Sequence, residues 1–312
     1  MTMITNWSEK MTSEFRKEIF TFSHDLKSTD LFTDEALIEL IGKHPHDLTD
    51  VCTMGPSDDP KYPNKLRTGD FRDCTPEELF AAAKHGKIWI NLRKAMNVHP
   101  EYKKVLDSMY GDLAKNTNTK AFNANGGILI TSPVARTPYH FDKTETILWH
   151  VRGPKRFFLY PVTEEFISDE SYEQAVMNMM DDDLPYDASF DKDATIIDLQ
   201  EGEALTWPLS SPHRVDNHGF CVSVTTEFSS RESGLKNAAM IANTTLRSKF
   251  GYSSSWSHQS RLNRLFKSGV GLVLKKIDMV TNPDHVDYVT FRVAPQTNGQ
   301  IIEDITPFER NF

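Results

Sequence analysis

The chain has 312 residues, 38% hydrophobic and 25% charged, a globular composition with length for one large or two small domains around a sizeable core. A formal charge of −9 argues against general nucleic-acid binding, and the three cysteines, Cys52, Cys74 and Cys221, suit neither a disulfide framework nor a zinc ribbon. No apolar run approaches the roughly 20 residues that span a bilayer, and the start MTMITNWSEK lacks the pattern of a signal peptide, so a soluble, cytoplasmic protein is expected.

Helical spacing in FRKEIFTF and DEALIELIGK predicts an α-helical front end, the second helix stopping near Gly42. The Pro-, Asp- and Gly-rich stretch from Pro56 to Asp73 reads as a long loop. Thr75 then caps the helix PEELFAAAKHG, with Pro76 in its first position and Glu78 placed for a capping box. WINLR follows as a short strand and PEYKKVLDSMYGDL as another helix. From about Gly126 the period changes to two, and GILITS, ETILWHV, RFFLYP, ATIIDL, EALTWP, HRVDN and CVSVTTEF are strand candidates without helices between them, which predicts a sandwich or barrel. An acidic insert over 164–193 interrupts them. A solvated surface excursion is its expected role, with a substrate lid as the sharper alternative. After Phe228 helical spacing returns in GLKNAAMIANTTLRSKF and SRLNRLFKSG, and DYVTFRV precedes a polar tail. The expected organisation is a helical N-terminal region over 1–120 packing on the barrel, a β core over 121–230, and a C-terminal helical region with a terminal strand over 231–312.

Within the stretch TPYHFDKTETILWHVRGPKRFFLYP, His140 and Asp142 are spaced to share one face of a strand. His213, entering a strand after EGEALTWPLSSP, is the candidate that returns across the barrel mouth. Two histidines and one carboxylate form the facial triad of non-haem iron oxygenases, with positions left open. Lys155 opens the apolar run Phe157, Phe158, Leu159 and Tyr160, where an ammonium is costly to bury without an anionic partner.

The pattern T-P-Y-H-F-D, then Lys155, then G-E-A-L-T-W-P and P-H-R-V-x-N, resembles the JmjC or cupin-like branch of the Fe(II)/2-oxoglutarate-dependent oxygenases, especially small hydroxylases related to the asparaginyl hydroxylase of hypoxia-inducible factor. The resemblance covers roughly Gly126 to Phe228. It implies a mainly β fold with helical flanks, its core a double-stranded β-helix (jelly-roll, cupin-like). It implies iron ligands at His140, Asp142 and His213, and Lys155 and Thr137 on the distal carboxylate of 2-oxoglutarate, with Thr146 as a further contact to that co-substrate. The implied reaction consumes O2 and releases succinate and CO2. The carboxylate at Asp142 favours hydroxylation over halogenation.

His150 and His218 compete with these ligands, but a hydrogen-bonded wall residue and an exposed turn residue are their expected roles. Zinc hydrolysis is disfavoured by the absence of H-E-x-x-H. Trp149, Trp207 and Tyr139 are expected mainly in core packing, with lining of a substrate pocket as the alternative. Arg214 and Asn217 either bind a polar substrate or close the strand end. The basic segment from Lys236 to Lys276 is expected to pack on the barrel or on a second subunit, as in a homodimer, rather than on a membrane or an anionic substrate. The substrate is expected to be a small molecule or a peptide or protein side chain. A non-catalytic cupin-like binding or regulatory barrel is the rival function.

Overall fold

A computed structural model describes residues 2–56, 64–177, 184–251, 260–276, 287–297 and 300–312. Its helices are α1 (Glu9–Glu14), α2 (Asp34–Lys43), α3 (Pro76–His85), α4 (Ala95–Val98), α5 (Pro100–Thr117), α6 (Asp169–Val176), α7 (Arg231–Phe250) and α8 (Arg261–Lys276). The N-terminal strands are β1 (Phe20–Ser23), β2 (Thr49–Pro56), β3 (Asn64–Asp70) and β4 (Ile88–Leu92). The central ones are β5 (Phe122–Thr131), β6 (Arg136–His140), β7 (Glu145–Arg152), β8 (Lys155–Leu159), β9 (Thr195–Leu199), β10 (Glu203–Thr206), β11 (His213–Asn217) and β12 (Cys221–Ser229), followed by β13 (Tyr288–Thr297) and β14 (Gln300–Glu309).

Strands β5 to β12 form two sheets, ordered β10-β7-β12-β5 and β6-β11-β8-β9, with the chain crossing repeatedly between them. This is the jelly-roll arrangement of a double-stranded β-helix. The strands at the middle of its larger sheet are legible because they are buried. In β7, all residues but the last are inaccessible, one side facing helices and the other the barrel. Between the sheets Leu148, Phe157, Leu159, Leu205, Trp207 and Val215 pack together. Over the outer face of the larger sheet, Ile128, Ile130, Trp149 and Val224 meet apolar residues of α2 to α5.

The larger sheet does not stop at the barrel. It runs β1-β10-β7-β12-β5-β4-β2-β3-β13-β14, so residues on both sides of 121–230 extend it. Three expectations are corrected here. FRKEIFTF is not helical: α1 ends at Glu14, Arg16 takes a left-handed φ of 65°, and β1 pairs with β10. Phe20 and Phe22, two apart, carry a strand period that the helical reading overlooked, and Phe22 packs edge-on against Trp149 at 5.2 Å. The expected loop from Pro56 to Asp73 contains β3, although residues 57–63 lie outside the described ones. Gly69 of β3 is required, since any Cβ there would stand 2.3 Å from the Phe291 ring. The polar tail is β14, paired with β13 as the edge of the sheet. An edge strand with one solvated face carries too few apolar residues to announce itself.

The acidic insert is not a purely solvated excursion either. Phe166, Ile167, Tyr172, Ala175 and Leu184 are buried with Tyr139, Phe141, Phe158 and Tyr160 on the outside of the smaller sheet. Part of its acidic run, residues 178–183, lies outside the described ones. No helix among the described residues is long and apolar enough to cross a membrane.

Candidate metal centre

Pairing of β6 with β11 sets His140 opposite His213, and their ring centroids lie 4.1 Å apart. Asp142 arrives differently from expectation. Strand β6 ends at His140, so Asp142 lies in the following loop, where strand alternation does not orient it. Its carboxylate nevertheless faces the histidines, 3.8 Å from His213 Nε2. One donor atom from each of the three side chains lies within 4.8 Å of the others.

The histidines are held as ligands require. His140 Nδ1 lies 2.8 Å from the Pro138 carbonyl oxygen and His213 Nδ1 lies 3.0 Å from that of Ser211. Each carbonyl fixes the proton on Nδ1 and leaves the Nε2 lone pair for a cation. Burial, reinforced by the His140 imidazole, holds His213 well below the ordinary histidine range, so that ring stays neutral. Two imidazoles with their Nε2 atoms free, beside a carboxylate, suit a divalent transition metal.

The three side chains share a cavity of about 190 Å³ with Thr137, Thr146 and Lys155, walled by Leu148, Phe157, Trp207 and Val215. Lys155 is 4% exposed, and burial pushes its ammonium down to about 8. Among the described residues no carboxylate pairs with it; the titratable groups that feel its charge are the Cys221 thiol and the His150 ring. The Thr146 hydroxyl is likewise buried without a hydrogen-bond partner. An unpaired cation and an orphaned hydroxyl in one cavity fit an anionic ligand that accepts hydrogen bonds. Lys155 stands opposite Asn217, four residues along β11 from His213, or roughly 13 Å at the usual strand rise.

The other sequence candidates divide. Trp207 lines the cavity, its ring 4.9 Å from that of His213. Trp149 is core, donating from Nε1 to the Thr226 hydroxyl at 2.8 Å, and Tyr139 packs under the insert. His150 is buried against Ser223 and the Gly153 carbonyl, and burial pushes it down to about 4. His218 is exposed. Arg214 points away from the cavity, pairing with Asp191 at 2.6 Å and lying 3.4 Å over the Phe158 ring. Asn217 closes the strand end through the Ala135 carbonyl at 2.7 Å.

Trp89, Asn91, Leu129, Thr131, Thr225 and Glu227 also line the cavity and were missed from sequence. A signal existed for Trp89 and Asn91: they alternate with the buried Ile88, Ile90 and Leu92 of β4 and so face the barrel. Assigning WINLR to a separate N-terminal region hid it.

Comparison with known proteins agrees with this architecture. Two solved structures of the Escherichia coli protein YcfD superpose with TM-scores of 0.51 and 0.50, each at 13% identity. The first covers 91% of this chain and 70% of that one. The second, described as a ribosomal oxygenase in complex with cobalt and 2-oxoglutarate, covers 91% and 69%. At that identity the likeness speaks for the fold. No curated protein sequence matches the chain significantly. A family model described as a cupin-like domain matches residues 65–233, which span β3 to the first turn of α7 and include every residue of the candidate triad, and the chain belongs to that cupin-like family.

Proposed function

We propose that the protein is an Fe(II)- and 2-oxoglutarate-dependent dioxygenase that hydroxylates an aliphatic C–H bond of a peptide or protein side chain or of a small molecule. The observation that carries this reading is the placement of an unpaired buried lysine and a His/Asp/His triad in one cavity. His140, Asp142 and His213 would hold the metal. Lys155 and Thr137 would bind the distal carboxylate of the co-substrate, with Thr146 donating a further hydrogen bond. When bound, iron and 2-oxoglutarate supply the oxidising chemistry by which O2 is consumed, succinate and CO2 are released and one oxygen enters the substrate.

The chain's own residues bind, orient and exclude. The Pro138 and Ser211 carbonyls keep the Nδ1 protons away from the centre, and Phe157, Trp207 and Val215 supply apolar wall to the cavity. A protein substrate is supported by the fold neighbour described as a ribosomal oxygenase. A cytoplasmic setting is supported by three free cysteines. Incubation with Fe(II), ascorbate, 2-oxoglutarate and O2 should yield succinate, and Asp142→Ala should lose both turnover and metal binding. Turnover unchanged in Asp142→Ala would overturn the triad; no succinate from the wild type under any substrate set would favour a non-catalytic barrel.

The same reading includes a homodimer through α8. Its side toward α7 is polar and small: Lys267 donates to the Asn243 side chain at 2.6 Å and Ser268 to the Leu235 carbonyl at 2.8 Å, while Gly271 lies against the Ala238 backbone. Its apolar side faces outward, with Leu262 80% and Phe266 69% exposed beside Leu265, Leu272 and Val273. These side chains offer on the order of 600 Å² per copy, against roughly 800 Å² per partner in a standard interface. Phe266, Val270 and Val273 border a shallow, open apolar depression over Gly269 on the same helix. A second copy laid antiparallel would cover it.

A further inference from the structure

We infer that Tyr172, Lys236 and Asn237, from the insert and α7, are positioning residues for the metal centre: they set the place of Asp142 relative to His213. The inference rests on the proposed triad. Asp142 lies beyond the end of β6, so no strand pairing orients it. A second connection between the two ligand-bearing segments replaces that pairing.

The connection is a run of hydrogen bonds with one donor direction. Lys236 Nζ donates to the Ser210 hydroxyl at 3.0 Å, and that hydroxyl donates to Tyr172 Oη at 3.2 Å. Tyr172 Oη donates to Asn237 Oδ1 at 2.9 Å, and Asn237 Nδ2 donates to the Lys143 carbonyl at 2.8 Å. Ser210 is three residues before His213, and Lys143 directly follows Asp142. From Ser210 onward the run therefore links one ligand segment to the other, with Lys236 of α7 donating into its start.

Two packing contacts stiffen it. The Tyr172 ring stacks on Phe141, the residue between His140 and Asp142, with centroids 4.9 Å apart at 28°. On the same ring, Lys236 Nζ lies 4.3 Å from the centroid. Ser210 is buried and holds a left-handed φ of 67°, a conformation unusual for serine that the surrounding bonds must maintain. The amino end of α7 is anchored to the same loop's far side, where Glu145 accepts from the Ser230 amide at 3.0 Å and the Ser233 hydroxyl at 2.7 Å. Segments outside the barrel strands thus fix the geometry of a site inside them.

Outer groups that orient metal ligands are worth about 10- to 100-fold in metal affinity. The test is a titration with Co(II) alone, read by its visible ligand-field absorption, on the full chain, with circular dichroism to verify folding. Tyr172→Phe keeps the stack on Phe141 and removes one hydroxyl; Asn237→Ala removes both bonds of its amide. Each should weaken Co(II) binding about tenfold or more and alter the band shape. Tyr186→Phe, which removes a hydrogen bond from the same insert to Asp191, should leave both unchanged. Wild-type affinity and spectrum in folded Tyr172→Phe and Asn237→Ala, or an equal loss in Tyr186→Phe, would overturn the inference while leaving the triad intact. Absence of Co(II) binding by the wild type would overturn the triad and the inference together.

Discussion

Burial pushes the Lys155 ammonium down to about 8 from an ordinary value of 10.5, which has opposite consequences for stability and for binding. Between those values the unfolded chain holds a proton that the folded chain has released, so stability rises with pH in that window. Below it the buried charge costs on the order of 3 kcal/mol. Lys155→Met, similar in length and uncharged, is therefore expected to raise Tm at pH 7 while abolishing binding of 2-oxoglutarate. A lower Tm in that variant would show that the lysine is satisfied in the apo protein. In the wild type, affinity for the dicarboxylate should weaken by about tenfold per pH unit above 8, as the free protein loses the charge that the ligand needs. Calorimetric titration at pH 7 and pH 9 would check it.

At the scale of elements, the insert bears on both stability and the site. Glu173 of α6 is buried, and that burial pushes its carboxyl up to about 7 although Arg247 of α7 lies 3.2 Å away. The folded chain holds a proton there that the unfolded chain has released above about 4.5, so stability falls as pH rises from 4.5 to 7. Glu173→Gln should flatten that fall and raise Tm at pH 7.5, as measured by calorimetry; an unchanged pH profile would mean that the ion pair outweighs burial. The sequence is informative where burial writes a period. Seven of the eight core strands were visible from Gly126 onward because alternate residues face a packed barrel; β6 was read only through its H-x-D spacing. So was the cap of α3, where Thr75 and Glu78 form the capping box. It was silent where the physics is not local. β14 is an edge strand, β1 is only four residues long, and the packing of the insert depends on aromatic residues of a distant sheet. The H-x-D spacing brought His140 and Asp142 together on paper through strand alternation, whereas in the fold the strand ends first and a hydrogen-bond run through α6 and α7 stands in its place.

For the whole molecule, flanking segments extend the larger sheet and brace the site, so the region over 121–230 does not stand apart from its neighbours. Among the described residues, the outward apolar stripe of α8 is an exposed cluster of large apolar side chains. Two of its five cations, Arg261 and Lys276 at opposite ends, would meet like charges in an antiparallel pair. Dimerisation is therefore expected to strengthen from 50 mM to 500 mM salt, because screening removes that repulsion and leaves apolar burial, and Phe266→Asp should give monomer in sedimentation analysis. Association that weakens with salt would point instead to an anionic partner for α8. The central claim is that one cavity binds a divalent iron and a dicarboxylate together. Anaerobic addition of Fe(II) and 2-oxoglutarate to the purified chain tests it most directly. A visible charge-transfer band that requires both additions, and that is lost in Lys155→Met and in Asp142→Ala, is the predicted result; no band in the wild type, or an undiminished band in either variant, would contradict it.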